Sequence, residues 1–179
     1  METLSINGTI GTAVTADSVR SELARIGPVP LTVKINSEGG SVSEGVTIYE
    51  LLRQHPAAVT VDIDGWALSI ASVIAMAGKK IRMAPAALMM VHNPWVKATG
   101  DASALRKTAE ELDLVRDTLL KIYARCGQSR AKVLAWLDAE TWFDAEQAIE
   151  AGLADEIIGA PATVLAGVNA CSYRIPPRI

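Results

Sequence analysis

Apolar residues recur along the chain with two different periods, which alternate from one segment to the next. In residues 31–35 and 59–63 every second residue is apolar, which is the spacing of a strand with one buried face. Between these segments the apolar residues stand three and four apart, as on one face of an α-helix, and Ser41 followed by Glu44 predicts a capping box at the start of that helix. Strands and helices that alternate at this spacing predict an α/β domain with a mainly parallel sheet.

The same two patterns predict the other elements. Strands are expected over residues 4–10, 81–83, 86–91 and 141–143 and near Ile157, and helices from Thr15, over residues 70–77 and 101–125, and after the N-caps Ser129 and Asp144. The helix over residues 101–125 is amphipathic and too long to lie wholly against a small sheet. Part of it should therefore project and pack against another subunit.

The periodic patterns end near Gly159. Residues 160–179 are rich in Ala, Pro and Gly, so a poorly ordered tail is expected there. Residues 1–159 have the length of one domain with a single core. The chain is therefore predicted to be one domain followed by a tail.

Composition narrows the class of protein. A net charge of −3 provides no basic surface for nucleic acid, and no apolar run reaches the roughly 18 residues that span a membrane. The 2 cysteines and 2 histidines are too few for a disulfide framework or a convincing zinc site, and the N-terminus has no signal-peptide pattern. We expect a cytoplasmic protein that needs no metal or organic cofactor. Hydrophobic residues make up 50% of the chain, which favours a homo-oligomer with a covered interface.

A serine is the strongest candidate for chemistry. Ser69 ends the segment Gly65-Trp66-Ala67-Leu68-Ser69, between an alternating strand and a helix that is apolar on every side. At such a junction the hydroxyl is exposed and the next backbone N–H groups lie at a helix N-terminus, as acyl transfer requires. His92 follows the strand over residues 86–91, and the ends of parallel strands meet at one edge of a sheet. The two residues together predict a serine hydrolase.

Further candidates surround this pair. Residues 36–40 end a strand with two glycines before a helix, which brings bare N–H groups to the same edge, as an oxyanion hole needs. The third member of a triad stays open among the carboxylates of Glu140, Asp138 and Asp144. A Ser–Lys dyad that uses Lys79 or Lys80 is a further alternative.

Four motifs in this order resemble the Clp protease proteolytic subunit (ClpP) family, and in particular the ClpP-related proteases that mature the heads of tailed phages. The motifs are Ile35-Asn36-Ser37-Glu38-Gly39-Gly40, Gly65-Trp66-Ala67-Leu68-Ser69, Met89-Met90-Val91-His92-Asn93-Pro94, and residues 144–155. The likeness runs from about Leu4 to Ile158. It implies a ClpP/crotonase-like fold of repeated β-β-α units, in which the helix from Asp101 is a projecting handle through which rings of subunits stack.

The resemblance also implies roles for individual residues. Ser69 corresponds to the nucleophile, His92 to the general base, and Glu140 to the family's catalytic aspartate, while the N–H groups of Gly40 and Ile70 form the oxyanion hole. A peptide or protein substrate would lie extended beside residues 40–42 and the segment after His92. The implied substrate-binding residues are Gly39, Ser41, Val42 and Trp95.

The departures from the family pattern affect the expected role. Glu140 places one more methylene before its carboxylate than aspartate does, and residues 95–100 replace a glycine-rich start of the handle. The chain begins almost at its first core strand, which favours a self-contained protease that processes capsid or scaffold protein in the cytoplasm of a phage-infected host. The alternatives are a Clp-type subunit that depends on an ATPase, a crotonase-like acyl-CoA enzyme, and a non-catalytic assembly protein.

Overall fold

The computed structural model describes residues 2–159, and the tail predicted over residues 160–179 lies outside them. The strands in this range are β1 (Glu2–Asn7), β2 (Leu31–Ser37), β3 (Val59–Leu68), β4 (Lys80–Met83), β5 (Leu88–Val91), β6 (Thr141–Phe143) and β7 (Glu156–Ile157). The helices are α1 (Ala16–Ile26), α2 (Val42–Arg53), α3 (Ile70–Ala75), α4 (Ala102–Tyr123), α5 (Arg130–Asp138) and α6 (Ala145–Glu150), and a 3₁₀ turn (Ala124–Cys126) follows α4. The predicted succession of strands and helices is confirmed.

The strands form one sheet in which β1, β2, β3, β4 and β7 are neighbours in that order and all parallel. The strand β3 changes partner along its length: residues 60–63 pair with β4 and residues 66–68 with β5. The strand β6 then joins β5 in an antiparallel pair. The mainly parallel α/β sheet is thus confirmed. Of the expected β-β-α units, one occurs in the described residues, at β4–β5–α4. Before it, single strands and single helices alternate.

Burial of apolar strand and helix faces holds the domain together. Successive parallel strands from β1 to β4 are adjacent, and α2 contacts both α1 and α3, as expected where right-handed crossovers place the connecting helices on one face. The helix α3 is buried along its whole length, as its unbroken apolar sequence predicted. It follows the end of β3 directly, with Ser69 at the turn between the two elements.

Two local predictions are wrong in detail. The first strand ends at Asn7 rather than Ile10, because the chain turns at Gly8, which has a φ of 82°. Ile10 instead forms an isolated parallel bridge with Gly40. The box at α2 is half made: Ser41 accepts from the Glu44 N–H, but the Glu44 carboxylate accepts from Ala16 N at 2.6 Å. The first N–H groups of α1 have no partner in their own helix, and Glu44 supplies one from α2.

The 22-residue helix α4 has two different halves. Near its C-terminal end Leu119, Leu120 and Tyr123 are buried against the core. Near the other end Leu105 is 44% exposed, and just past the middle Leu114 is 71% exposed. The predicted projection of this helix is therefore confirmed, whereas its cover by a second subunit stays a prediction. No helix within residues 2–159 is both long and apolar enough to cross a membrane.

Candidate active site

The structure brings Ser69 and His92 into contact. The second half of β3 pairs with β5, and Leu68 lies beside Met90 in that register. Ser69 is the next residue after β3, and its N–H donates to the carbonyl of Met90 at 2.9 Å. Ser69 Oγ lies 2.7 Å from His92 Nε2. This is the distance at which a histidine can accept the proton of a serine hydroxyl.

The backbone of Ser69 is held in a strained conformation. Its φ of 55° and ψ of −127° lie outside the strand and helix regions, and few residues other than glycine adopt a positive φ. The turn reverses the chain between β3 and the buried helix α3, which leaves the side chain of Ser69 at the end of the strand. Such strain persists only where the surrounding structure fixes it.

Of the two glycines before α2, Gly39 lies against this turn and Gly40 lies against Ile10. A Cβ atom on Gly39 would stand 2.8 Å from Ser69 Cβ and 3.3 Å from Ile70 N, and one on Gly40 would stand 2.2 Å from Ile10 O. Their φ values of 99° and 143° also lie in the region that favours glycine. Only glycine therefore allows this close approach between the loop after β2 and the turn after β3.

The N–H groups expected to form an oxyanion hole are at this place. Ile70 is the first residue of α3, so its N–H has no partner within that helix. Ile10 bonds to Gly39 O at 2.8 Å and to Ser41 N at 2.9 Å, on either side of Gly40. In such a parallel bridge the N–H and C=O of Gly40 itself face away from Ile10. Both donors thus belong to segments in contact with Ser69.

Of the three candidate carboxylates, that of Glu140 lies beside His92. The pair β5–β6 sets Val91 opposite Thr141, and the next step of this register sets His92 opposite Glu140. Glu140 Oε2 is 3.9 Å from His92 Nδ1, with 59% of the glutamate side chain exposed. Asp138 instead accepts from the Asn93 side chain at 2.8 Å, and Asp144 caps α6.

The environment of His92 favours its neutral form. Burial lowers the pKa of His92 below its ordinary value, and the negative charge of Glu140 acts weakly in the opposite direction. At neutral pH the imidazole is therefore uncharged and can accept a proton.

Two residues behind Ser69, namely Ser72 and Tyr123, were not predicted from the sequence. Ser72 Oγ donates to the carbonyl oxygen of Ser69 at 2.6 Å, and the hydroxyl of Tyr123 lies 2.6 Å from Ser72 Oγ. Both residues are buried. Ser72 is the polar residue within the apolar sequence of α3, which was the available signal, but nothing local pointed to Tyr123 as its partner.

The other predicted residues lie at varying places around the site. Ser41 is the N-cap of α2 and Val42 is already its first residue, so the extended edge expected over residues 40–42 ends at Ser41. Trp95 lies after His92 and is 69% exposed. The alternative Ser–Lys dyad is not formed: Lys80 begins β4 at the opposite edge of the sheet, where it pairs with Glu156 at 2.5 Å.

A cavity of about 230 Å³ lies between the segment after His92 and α4. Its lining residues are Asn93, Pro94, Ala109, Leu112, Asp113 and Arg116. The wall is therefore part apolar and part charged, and the cavity lies next to the histidine.

Comparison with known proteins agrees with this geometry. The family model described as Clp protease matches residues 9–161. The chain is 34% identical over 151 residues to an ATP-dependent Clp protease proteolytic subunit of Bacteroides fragilis, over 80% of this chain and 73% of that protein. It is 31% identical over 140 residues to the ATP-dependent Clp protease proteolytic subunit 2 of Mycolicibacterium paratuberculosis, over 76% of this chain and 70% of that protein. With a family match over most of its length, this chain belongs to the Clp protease family and is a serine-type peptidase.

Proposed function

We propose that this protein is a serine endopeptidase in which Ser69 is the nucleophile and His92 the general base. The 2.7 Å contact between Ser69 Oγ and His92 Nε2 is the observation that carries the proposal. Ser69 Oγ attacks the peptide carbonyl carbon while His92 accepts the hydroxyl proton, and His92 then gives this proton to the leaving amine. Water, activated by the same histidine, hydrolyses the acyl-enzyme ester and restores Ser69.

The N–H groups of Gly40 and Ile70 stabilise the oxyanion of the tetrahedral intermediate. This role is supported by the close contact between Gly39 and the turn at Ser69, which no larger residue than glycine would allow. Donors fixed in advance need no reorganisation when the charge develops, and loss of one such donor typically slows turnover by about 10²–10³.

Glu140 completes the triad by orienting His92 through Nδ1. Its place opposite His92 in the β5–β6 register supports this role over Asp138 and Asp144, whose carboxylates have other partners. The 3.9 Å separation and the exposed carboxylate indicate a weak electrostatic contact.

The substrate lies extended beside Gly39, Gly40 and Ser41. Ile10 occupies one side of Gly40, and the other side is left for the backbone of a peptide that adds a strand there. Trp95 and the cavity next to His92 are available to its side chains. Val42, as the first residue of α2, contributes through its side chain rather than through an extended edge.

The assembly and the biological substrate are finer parts of the proposal. The exposed apolar residues Leu105 and Leu114 support a homo-oligomeric ring in which α4 mediates stacking. Processing of capsid or scaffold protein during phage head maturation is supported by the resemblance of the four motifs to the ClpP-related maturation proteases. The names of the two relatives above favour a second candidate, a proteolytic subunit that works with an ATPase.

Intact mass after treatment with an alkyl fluorophosphonate tests the catalytic proposal. Wild-type protein, Ser69→Ala and His92→Ala are compared, with each oligomeric fraction treated separately. One adduct on the wild type, none on Ser69→Ala and a strongly slowed adduct on His92→Ala is the expected result. An adduct of equal rate on Ser69→Ala would show that another residue is the nucleophile.

Cleavage of an unfolded protein such as casein separates the two candidate functions. A self-contained protease cleaves casein without nucleotide, whereas a subunit that depends on an ATPase cleaves it only with a Clp ATPase and ATP. A thioesterase activity that survived in Ser69→Ala would instead favour the acyl-CoA alternative.

A further inference from the structure

We propose that Tyr123 and Ser72 are positioning residues that aim the Ile70 N–H at the oxyanion. This inference rests on the proposed role of Ser69 as nucleophile and of Ile70 as an oxyanion donor. Neither Tyr123 nor Ser72 touches the substrate, since both are buried behind the nucleophile. They act through the peptide group that joins Ser69 to Ile70.

The donor and the acceptor of each of these two hydrogen bonds follow from the chemistry of the groups. The carbonyl of Ser69 can only accept, so Ser72 Oγ donates its single proton to it at 2.6 Å. The contact of 2.6 Å between Ser72 and Tyr123 must then be donated by the Tyr123 hydroxyl. Burial raises the pKa of Tyr123 far above its ordinary value, so the phenol keeps this proton. Both hydrogen bonds are therefore donated in the same direction, from Tyr123 to Ser72 and from Ser72 to the Ser69 carbonyl.

The Ser69 carbonyl and the Ile70 N–H belong to one planar peptide group. In a trans peptide these two bonds point in opposite directions, so an orientation imposed on one is imposed on the other. Ser72 holds the carbonyl twice, through Oγ and through its N–H at 3.0 Å. The Ile70 N–H is thereby turned away from α3 and toward Gly39, whose Cβ position would lie 3.3 Å from Ile70 N.

The location of the pair supports a purpose beyond packing. A serine hydroxyl within a fully buried apolar helix is unfavourable unless it is hydrogen-bonded. Here its partners are the strained nucleophile turn on one side and the buried end of α4 on the other. Because Tyr123 donates to Ser72 Oγ while Ser72 donates to the Ser69 carbonyl, the two hydrogen bonds polarise and strengthen each other. Misalignment of the peptide plane would weaken the oxyanion donor while the substrate-binding surface stayed intact.

Tyr123→Phe and Ser72→Ala test the inference by the rate of fluorophosphonate labelling of Ser69 in the assembled protein. The phosphonyl oxygen of this probe occupies the oxyanion position in the adduct, so its rate reports the donors. We expect each variant to label about tenfold more slowly, a fraction of the 10²–10³ that a lost donor costs. The pH at which labelling reaches half its maximum should not move, because the burial of His92 and the charge of Glu140 are unchanged.

Two further variants keep the outcome decisive. The double variant Ser72→Ala/Tyr123→Phe removes both hydroxyls and leaves no buried hydroxyl unpaired, and it should label no more slowly than Ser72→Ala because Tyr123 acts through Ser72. Tyr49→Phe is the matched control, since Tyr49 packs on the core from α2, and its labelling rate should stay within about twofold of wild type.

The results separate this inference from the proposed function. Labelling of Tyr123→Phe at the wild-type rate, or losses in the two single variants that multiply in the double variant, would overturn the positioning role while Ser69 remained the nucleophile. A wild-type protein without an adduct at Ser69 would refute the proposed function, and the positioning role with it.

Discussion

The two sides of His92 are built very differently. On the Nε2 side, Ser69 is fixed by a hydrogen bond from its own N–H to Met90, by Ser72 at its carbonyl, and by a glycine loop packed against it. On the Nδ1 side, Glu140 reaches toward the ring from an exposed position, and the nearest atoms are 3.9 Å apart. The first contact is set by the fold of one subunit, whereas the second depends on a side chain that solvent and salt can reach.

This contrast separates the part of the site that the fold holds rigidly from the part that can move. Ser69 and the glycine loop beside it are held by backbone hydrogen bonds and by close backbone contacts. The carboxylate is placed by a register and a turn, and the last torsions of Glu140 are free to change. We therefore expect changes on the serine side to be large and changes on the glutamate side to be modest.

The largest expected effect is that of Gly39→Ala. The new Cβ would meet Leu68 O at 2.7 Å and Ser69 Cβ at 2.8 Å, which displaces the nucleophile turn. Fluorophosphonate labelling should slow by about 10²–10³, as for a lost oxyanion donor. Gly27→Ala is the matched control: its φ of 78° imposes similar backbone strain, but nothing lies within 4 Å of the added Cβ. Equal labelling rates in the two variants would show that the close approach at Gly39 is not required.

A smaller effect is expected for Glu140→Gln. Removal of an exposed charge should slow labelling by less than about tenfold, against roughly 10⁴ for loss of the acid from a fully formed triad. Because Glu140 raises the pKa of His92, its removal should also shift the acid limb of the pH–rate profile to lower pH. A loss near 10⁴ would mean that assembly or substrate draws Glu140 against His92, and the contrast between the two sides would then vanish.

Asp138→Asn provides the control for that variant. It removes the same charge two residues earlier, and the amide oxygen of the new asparagine can still accept from Asn93. Both the labelling rate and the pH at half-maximal labelling should stay at their wild-type values. A shift as large as that of Glu140→Gln would show that the general field of the acidic loop, rather than the contact at Nδ1, affects His92.

The smallest expected effect concerns stability. Since burial lowers the pKa of His92, the unfolded chain binds the proton more tightly, and the free energy of unfolding should fall as pH drops below about 6.5 toward the lower pKa of the folded state. Above that range both states are neutral at this residue and no effect remains. Urea unfolding at pH 8 and pH 5 measures it, and His92→Gln should lose less stability between the two pH values than wild type. An equal loss of stability in His92→Gln and in wild type would show that the pH dependence comes from groups other than His92.

The sequence predicted the parts of the molecule that local chemistry determines. Period-two and period-3.6 patterns identified the strands and helices, and the position of Ser69 and His92 at strand ends was enough to expect their contact. The Asp144 capping box was also predicted correctly, because both of its hydrogen bonds lie within four residues.

The sequence alone did not identify hydrogen-bond and ion-pair partners that lie far apart along the chain. Glu44 was assigned to its own helix, yet its carboxylate caps α1, which the pattern around residue 44 does not encode. Nothing in the sequence singled out Tyr123, although its hydroxyl reaches Ser72. The choice among three carboxylates likewise depended on the β5–β6 register, which only the folded sheet defines.

Because β6 comes late in the chain, the residues of the site are synthesised in a fixed order during translation. Strands β1 to β5, with Ser69 and His92 directly after β3 and β5, leave the ribosome before the rest of the domain. Tyr123 follows on α4, and Glu140 arrives only just before β6, the antiparallel partner of β5. A nascent chain therefore carries a serine and a histidine without their full support. Under the proposed mechanism, the Tyr123–Ser72 support and Glu140 therefore reach the Ser69–His92 pair only after the last third of the domain has docked.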